Sequence, residues 1–167
     1  MEEFDLYQEE TMKMILDEYS DTVYKIAYSQ TKDKNHADDV FQEVFLRLIK
    51  KKPTFQSKDH IKAWLIRVTI NCSKSIFLSF HFKKRSNLSN DIVDSNVSFE
   101  KSELYYAVMD LPSKYKDTLY LFYYEGYSVK EIANILGKKE ATIKTNLHRG
   151  RNLLKVNLEG VGNIEGS

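Results

Sequence analysis

Apolar side chains recur at three- and four-residue intervals along most of this chain. Residues 17–31 set Tyr19, Val23, Ile26 and Ala27 on one helical face. A polar break at 32–35 follows. Residues 36–50 repeat Val40, Val44 and Leu48 every four positions, with Phe41, Phe45 and Ile49 alongside. Asp39, Gln42, Glu43 and Arg47 fall outside that stripe, so the pattern predicts an amphipathic helix. Pro53 ends it, because proline has no N–H to donate. A polar loop at 55–60 leads into a helix over about 61–77 that carries Trp64, Leu65, Val68 and Cys72.

From 83 to 98 the period is lost in a run rich in Ser, Asn and Asp, which reads as a flexible linker. It resumes at Phe99 with Leu104, Ala107, Val108 and Leu111, and stops at Pro112. A helix over 113–124 follows and ends at Glu125-Gly126. The fold class expected is all-α, as two small helical lobes joined by the linker.

Near the C-terminus the spacing becomes specific. Ser128 and Glu131 stand three apart, as in a capping box, so a helix should start there. Ala133 is small where a second helix must pass close by. Gly137 stands where a turn needs positive φ, and Ile143 where the next helix plugs into the first. Small, glycine and branched-apolar in this order is the arrangement of a helix-turn-helix. The second helix should begin near Glu140. Its outer face carries Ala141, Thr145, His148, Arg149 and Asn152, flanked by Thr142, Lys144 and Arg151. Thr142, Thr145 and His148 are placed to reach base edges in the major groove. Lys138, Lys139, Lys144, Arg149 and Arg151 are candidates for DNA contact, mostly at phosphates. A solvated charged helix is the plainer reading, but it does not account for the coincidence of cap, packing residues and basic face.

Charge sharpens this picture. The 167-residue chain has a net charge of only +1. Residues 1–21 hold eight acids against the single base Lys13, whereas residues 138–155 hold six bases against Glu140. A nearly neutral protein with one basic end binds a polyanion locally. Hydrophobic residues at 42% and charged residues at 29% suit a folded soluble protein. The one cysteine, Cys72, cannot build a disulfide framework or a cysteine metal cluster. His36, His60, His81 and His148 lack ligand spacing, and there is no Gly-rich phosphate loop or nucleophile–base set. We therefore expect no enzyme, no cofactor and no metal. With no secretory leader or membrane-spanning run in view, a cytoplasmic location is expected.

The chain resembles a bacterial RNA polymerase sigma factor of the extracytoplasmic-function group in the sigma-70 family. DDVFQEVFLRL at 38–48 is similar to the helix that docks on the clamp coiled coil of core polymerase. That match implies a polymerase contact for Asp39, Gln42 and Glu43. Phe55 followed by HIKAWLIRVTINCSK at 60–74 resembles the segment that melts the promoter and reads the minus-ten element. It implies that the 55–60 loop and Asn71 form a pocket for an unstacked base. Unstacking costs a few kcal/mol, which such a pocket offsets. Lys58, His60, Lys62, Arg67 and Lys74 add positive charge for a single strand near Phe55 and Trp64. Trp64 itself, followed by Leu65 and Val68, reads as core, as do most of the Tyr and Phe residues. Residues 111–155 resemble the minus-thirty-five-reading domain.

The resemblance implies a non-catalytic promoter-specificity subunit, with core polymerase, promoter DNA and an anti-sigma factor as partners. The domains expected are 1–82 for polymerase binding and the minus-ten element, 83–98 as linker, 99–158 as helix-turn-helix domain and 159–167 as tail. A helix-turn-helix regulator that never joins polymerase is the alternative. Ser75 and Leu78 depart from an acid and an arginine frequent in the family, with Lys83, Lys84 and Arg85 following. Asn146 departs from an arginine, which implies one basic groove contact fewer. Gly150 replaces a frequent alanine at a cost of roughly 1 kcal/mol of helix stability, unless a neighbouring helix needs the space.

Overall fold

The structure is a computed structural model that describes residues 4–83 and 102–165, without the side chains at 77–83 and 160–165. Seven helices are present among the described residues: α1 (Glu9–Thr31), α2 (Lys34–Lys51), α3 (Lys58–Lys83), α4 (Glu103–Met109), α5 (Ser113–Tyr123), α6 (Val129–Leu136) and α7 (Glu140–Glu165). They belong to two compact units, residues 1–94 and 95–167. Of the expected linker at 83–98, Lys83 belongs to the end of α3 and residues 84–98, with Lys84 and Arg85, lie outside the described residues, as do Phe99 and the side chains of Leu78 and Lys83.

In the first unit α1, α2 and α3 each pack against the other two. Ile15, Val23 and Ala27 of α1 meet Val40, Val44 and Leu48 of α2 and Ile61, Leu65 and Cys72 of α3, all buried. Each buried Val, Leu or Ile among them contributes about 1.5–3 kcal/mol of transfer energy. Burial also pushes the Cys72 thiol pKa upward. Helix α1 starts eight residues before the expected position 17. Ile15 is fully buried and Met12 and Met14 pack beside it, a stripe that the surrounding acids obscured. The break between α1 and α2 is short. Lys32 closes α1 in the left-handed region, and Asp33 caps α2 by accepting from the His36 N–H at 2.9 Å.

Two expectations on the apolar stripes are corrected. Ile49 stays 51% exposed instead of joining the α2 stripe, because Leu48 takes the inward position. In α4 Leu104 is exposed, while Tyr105, Val108 and Met109 turn inward. Ser102 caps that short helix by accepting from the Tyr105 N–H at 3.1 Å.

In the second unit α7 packs against α4, α5 and α6. Gly150 explains the closeness of α5. A Cβ there would lie 2.9 Å from Leu119 Cδ1 and 3.4 Å from Tyr115 Cβ. Glycine is thus retained at a helical position where it carries a propensity cost, because two helices approach there.

Candidate nucleic-acid interface

Helices α6 and α7 form the helix-turn-helix. Ser128 Oγ accepts from the Glu131 N–H at 3.2 Å and lies 3.1 Å from Glu131 Oε1. Gly137 ends α6 at φ 64°, and the Lys138 N–H returns to the Ala133 carbonyl at 2.9 Å. That six-to-one bond is the closure of a Schellman turn. Ala133 and Ile143 are buried where α6 meets α7.

The buried arc of α7 is Ile143, Asn146, Leu147, Gly150 and Leu154, and the opposite arc is bare. Ala141, Thr142, Lys144, Thr145, His148, Arg149 and Asn152 are all exposed there, with Lys138 and Lys139 exposed just before. Thr145 Oγ1 donates to the Ala141 carbonyl at 3.0 Å, which leaves the oxygen lone pairs outward as acceptors. Asn152 Nδ2 and His148 Nε2 stand 3.4 Å apart. Two residues behave differently from expectation. Asn146 is only 6% exposed and belongs to the inward arc, so it is not a lost groove contact. Arg151 donates through Nε to Tyr123 Oη at 2.7 Å and lies 5.6 Å from the Phe122 and Tyr123 rings. It ties α7 to the end of α5.

In the first unit the 52–57 loop and the start of α3 form a second surface. Ser57 Oγ caps α3 by accepting from the His60 N–H at 3.1 Å, so Lys58 and His60 belong to the helix and not to the loop. Phe55 is 0% exposed. Its ring makes edge contacts with His60 at 5.3 Å and with Trp64 at 5.8 Å. Phe55 is thus an internal support of the loop rather than an open stacking platform. Trp64 is half-buried against the core, in line with its core reading. The Gln56 N–H points at His60 Nδ1, 3.4 Å away. Beyond them Arg67, Asn71 and Lys74 are exposed at helical spacing on the same side of α3 as His60 and Trp64, and Ser75 is exposed nearby; Lys62 is half-buried. Lys58 does not project alone. Its ammonium pairs with Glu18 Oε1 at 2.8 Å, a hydrogen bond that raises its pKa.

A third surface runs along α2. Asp39 and Gln42 are exposed, and Glu43 is half-buried and accepts from Arg47 Nε at 3.0 Å. Leu46 and Ile49 are exposed on the same face. The sequence reading missed these two, although steps of three, four and three residues from Asp39 through Gln42 and Leu46 to Ile49 place them there. It also missed that Tyr106, Tyr123 and Tyr124 stay exposed in the second unit. Among the described residues no group of acids, His and Cys is arranged to hold a metal. No helix there is long and apolar enough to cross a membrane.

A capped helix-turn-helix with a bare polar and basic arc defines a DNA-binding protein. The family model of sigma-70 region 2 matches residues 15–79, and that of sigma-70 region 4 matches residues 101–154. The extracytoplasmic-function (ECF) RNA polymerase sigma factor SigM of Bacillus subtilis is 31% identical over 159 residues, which cover 87% of this chain and 93% of SigM. SigX of the same species is 24% identical over 165 residues, covering 90% of this chain and 85% of SigX. A solved structure of the sigma factor RpoE with the anti-sigma factor NepR from Bartonella quintana shares the fold, at TM-score 0.70 and 21% identity over 88% of this chain and 96% of that one. The chain belongs to the sigma-70 family of RNA polymerase sigma factors, in its ECF group.

Proposed function

We propose that this sigma factor brings core polymerase to a two-part promoter, with one half of the promoter read by each unit. The observation that carries this reading is the bare arc of α7, opposite a fully packed arc. Thr142, Thr145 and His148 read base edges of the upstream element, and Lys138, Lys139, Lys144 and Arg149 hold phosphates. Arg151 adds charge from the flank while anchoring α7. The downstream element is opened at the 52–57 loop, with Phe55 packed beneath it as its internal support. His60, Arg67, Asn71 and Lys74 then guide the single strand along α3, with Lys62 at its side and Lys58 bracing the loop. Asp39, Gln42 and Glu43 meet polymerase, with Leu46 and Ile49 supplying apolar area to the same contact. The units act as one reader because bivalent contact raises affinity when the linker permits both.

The protein works where core polymerase is, in the cytoplasm, and carries out no chemistry itself. An inhibitory protein partner is part of this reading, supported by the solved RpoE complex with an anti-sigma factor.

The test is retention of the chain by core polymerase. Wild type should be retained, and a triple alanine variant at Asp39, Gln42 and Glu43 should be retained at least about tenfold more weakly, the scale of losing roughly 1.4 kcal/mol. Equal retention of both would overturn the assignment of the α2 face.

A further inference from the structure

The region 2 family model begins at residue 15, so the segment before it lies outside the part of the chain shared with that family model. In the structure this segment runs to the 52–57 loop. The Phe4 N–H donates to the Phe55 carbonyl at 3.4 Å, and the two residues form an antiparallel bridge. Leu6 is buried in the three-helix core. The Lys52 ammonium sits 3.7 Å above the Tyr7 ring. The segment is itself stiffened, because Asp5 accepts from the Tyr7 N–H through Oδ1 at 2.9 Å and from the Gln8 N–H through its carbonyl at 3.1 Å.

The opposite end of the loop is also tied to α1. Glu18 pairs with Lys58, and Tyr19 Oη donates to the Lys58 carbonyl at 3.3 Å. The loop therefore leaves α2 at Lys52, with φ at 43°, and enters α3 at the Ser57 cap with both ends held from outside. Tyr7 is 78% exposed. Its contact with Lys52 does little for the core, yet it covers the residue whose unusual backbone starts the loop.

We propose that residues 4–7 are a strap that holds the 52–57 loop in the shape that captures an unstacked promoter base, with Tyr7 and Lys52 as positioning residues. A pocket held in its binding shape loses less entropy when it orders a flipped base. The strap thus acts on capture of the single strand and leaves polymerase binding and the upstream contact alone. The proposal rests on the reading of the loop as the base pocket.

Four full-chain variants test it with core polymerase. One lacks residues 2–7. Two carry Tyr7→Ala and Tyr7→Phe. The fourth carries Gln56→Ala with His60→Ala in the loop and its flank. The probe is the non-template single strand of a promoter selected by transcription from random DNA. The same promoter's upstream duplex and polymerase retention serve as references. The strap deletion should weaken single-strand binding about tenfold and Tyr7→Ala about threefold, while Tyr7→Phe keeps wild-type binding because the ring remains. Upstream binding and polymerase retention should not change. If only the loop variant loses single-strand binding, the strap proposal is overturned and the pocket reading stands. If the loop variant loses nothing, the pocket reading itself has failed. If the strap variants weaken every readout equally, the segment is merely a piece of the fold and the proposal is again overturned.

Discussion

In α7 the residues assigned to DNA are what remains outside once Ile143, Leu147, Gly150 and Leu154 have turned inward. At the start of α3 the corresponding surface depends on residues far away in the chain: Phe4, Glu18 and Tyr19 hold a loop whose central side chain, Phe55, is buried. Of the two proposed readers, one is a face of a regular helix, set by a 100° angular step. The other is a loop shaped by tertiary contacts. The first is robust because duplex DNA already presents its groove edges. The second must receive a base that has left its stack, which favours a held pocket over a flat face.

The contrast predicts different responses to mutation. The largest effect belongs to Phe55→Ala, which removes a fully buried ring. It should cost about 3–5 kcal/mol. Trp64 is the only tryptophan in the chain and sits 5.8 Å from Phe55. Its fluorescence during urea unfolding therefore reports the first unit, and its transition should move to lower urea. An unchanged midpoint would break the comparison.

Gly137→Val comes next, because a branched side chain at φ 64° should cost about 1–2 kcal/mol. Upstream-duplex binding and the circular-dichroism melt of the second unit should weaken, while the Trp64 transition stays put. Gly150→Ala is a finer probe. Better helix propensity would contribute about 1 kcal/mol, and crowding of Leu119 at 2.9 Å would cost about 1–3 kcal/mol. A net loss of about 1 kcal/mol is expected by thermal melting, and a gain would show that α5 yields easily. The smallest effect separates two arginines. Arg149→Ala should lower the salt slope of upstream-duplex binding by about one unit. Arg151→Ala should lower it less, because Arg151 is engaged with Tyr123.

The same contrast explains what was legible in the sequence. The helix-turn-helix could be read because caps, a left-handed glycine and a helical period are local signals. Ser128, Gly137 and Ile143 have the placement their spacing implies. The buried stripes of α2 and of α1 from Tyr19 onward were legible for the same reason. Asn146 was read through the resemblance, as the place of an arginine frequent in the family, whereas helix angle puts its own side chain inward between Ile143 and Gly150. Arg151's bond to Tyr123 spans 28 residues, and no local pattern reports it. The loop was least legible. The burial of Phe55, the pairing of Lys58 with Glu18 and the exposure of Leu46 and Ile49 depend on how three helices meet. A strap joining residue 4 to residue 55 leaves no periodic trace at all.

The central claim is that two separate surfaces read two separate promoter elements. Transcription by core polymerase from random promoter DNA, followed by sequencing of start-site regions, tests it directly. It should be run with wild type, with a triple alanine variant at Thr142, Thr145 and His148, and with the Gln56→Ala, His60→Ala variant. The α7 variant should lose selectivity at the upstream element and keep the downstream one, and the loop variant should do the reverse. Loss of the same element in both variants, or of neither, would contradict the account.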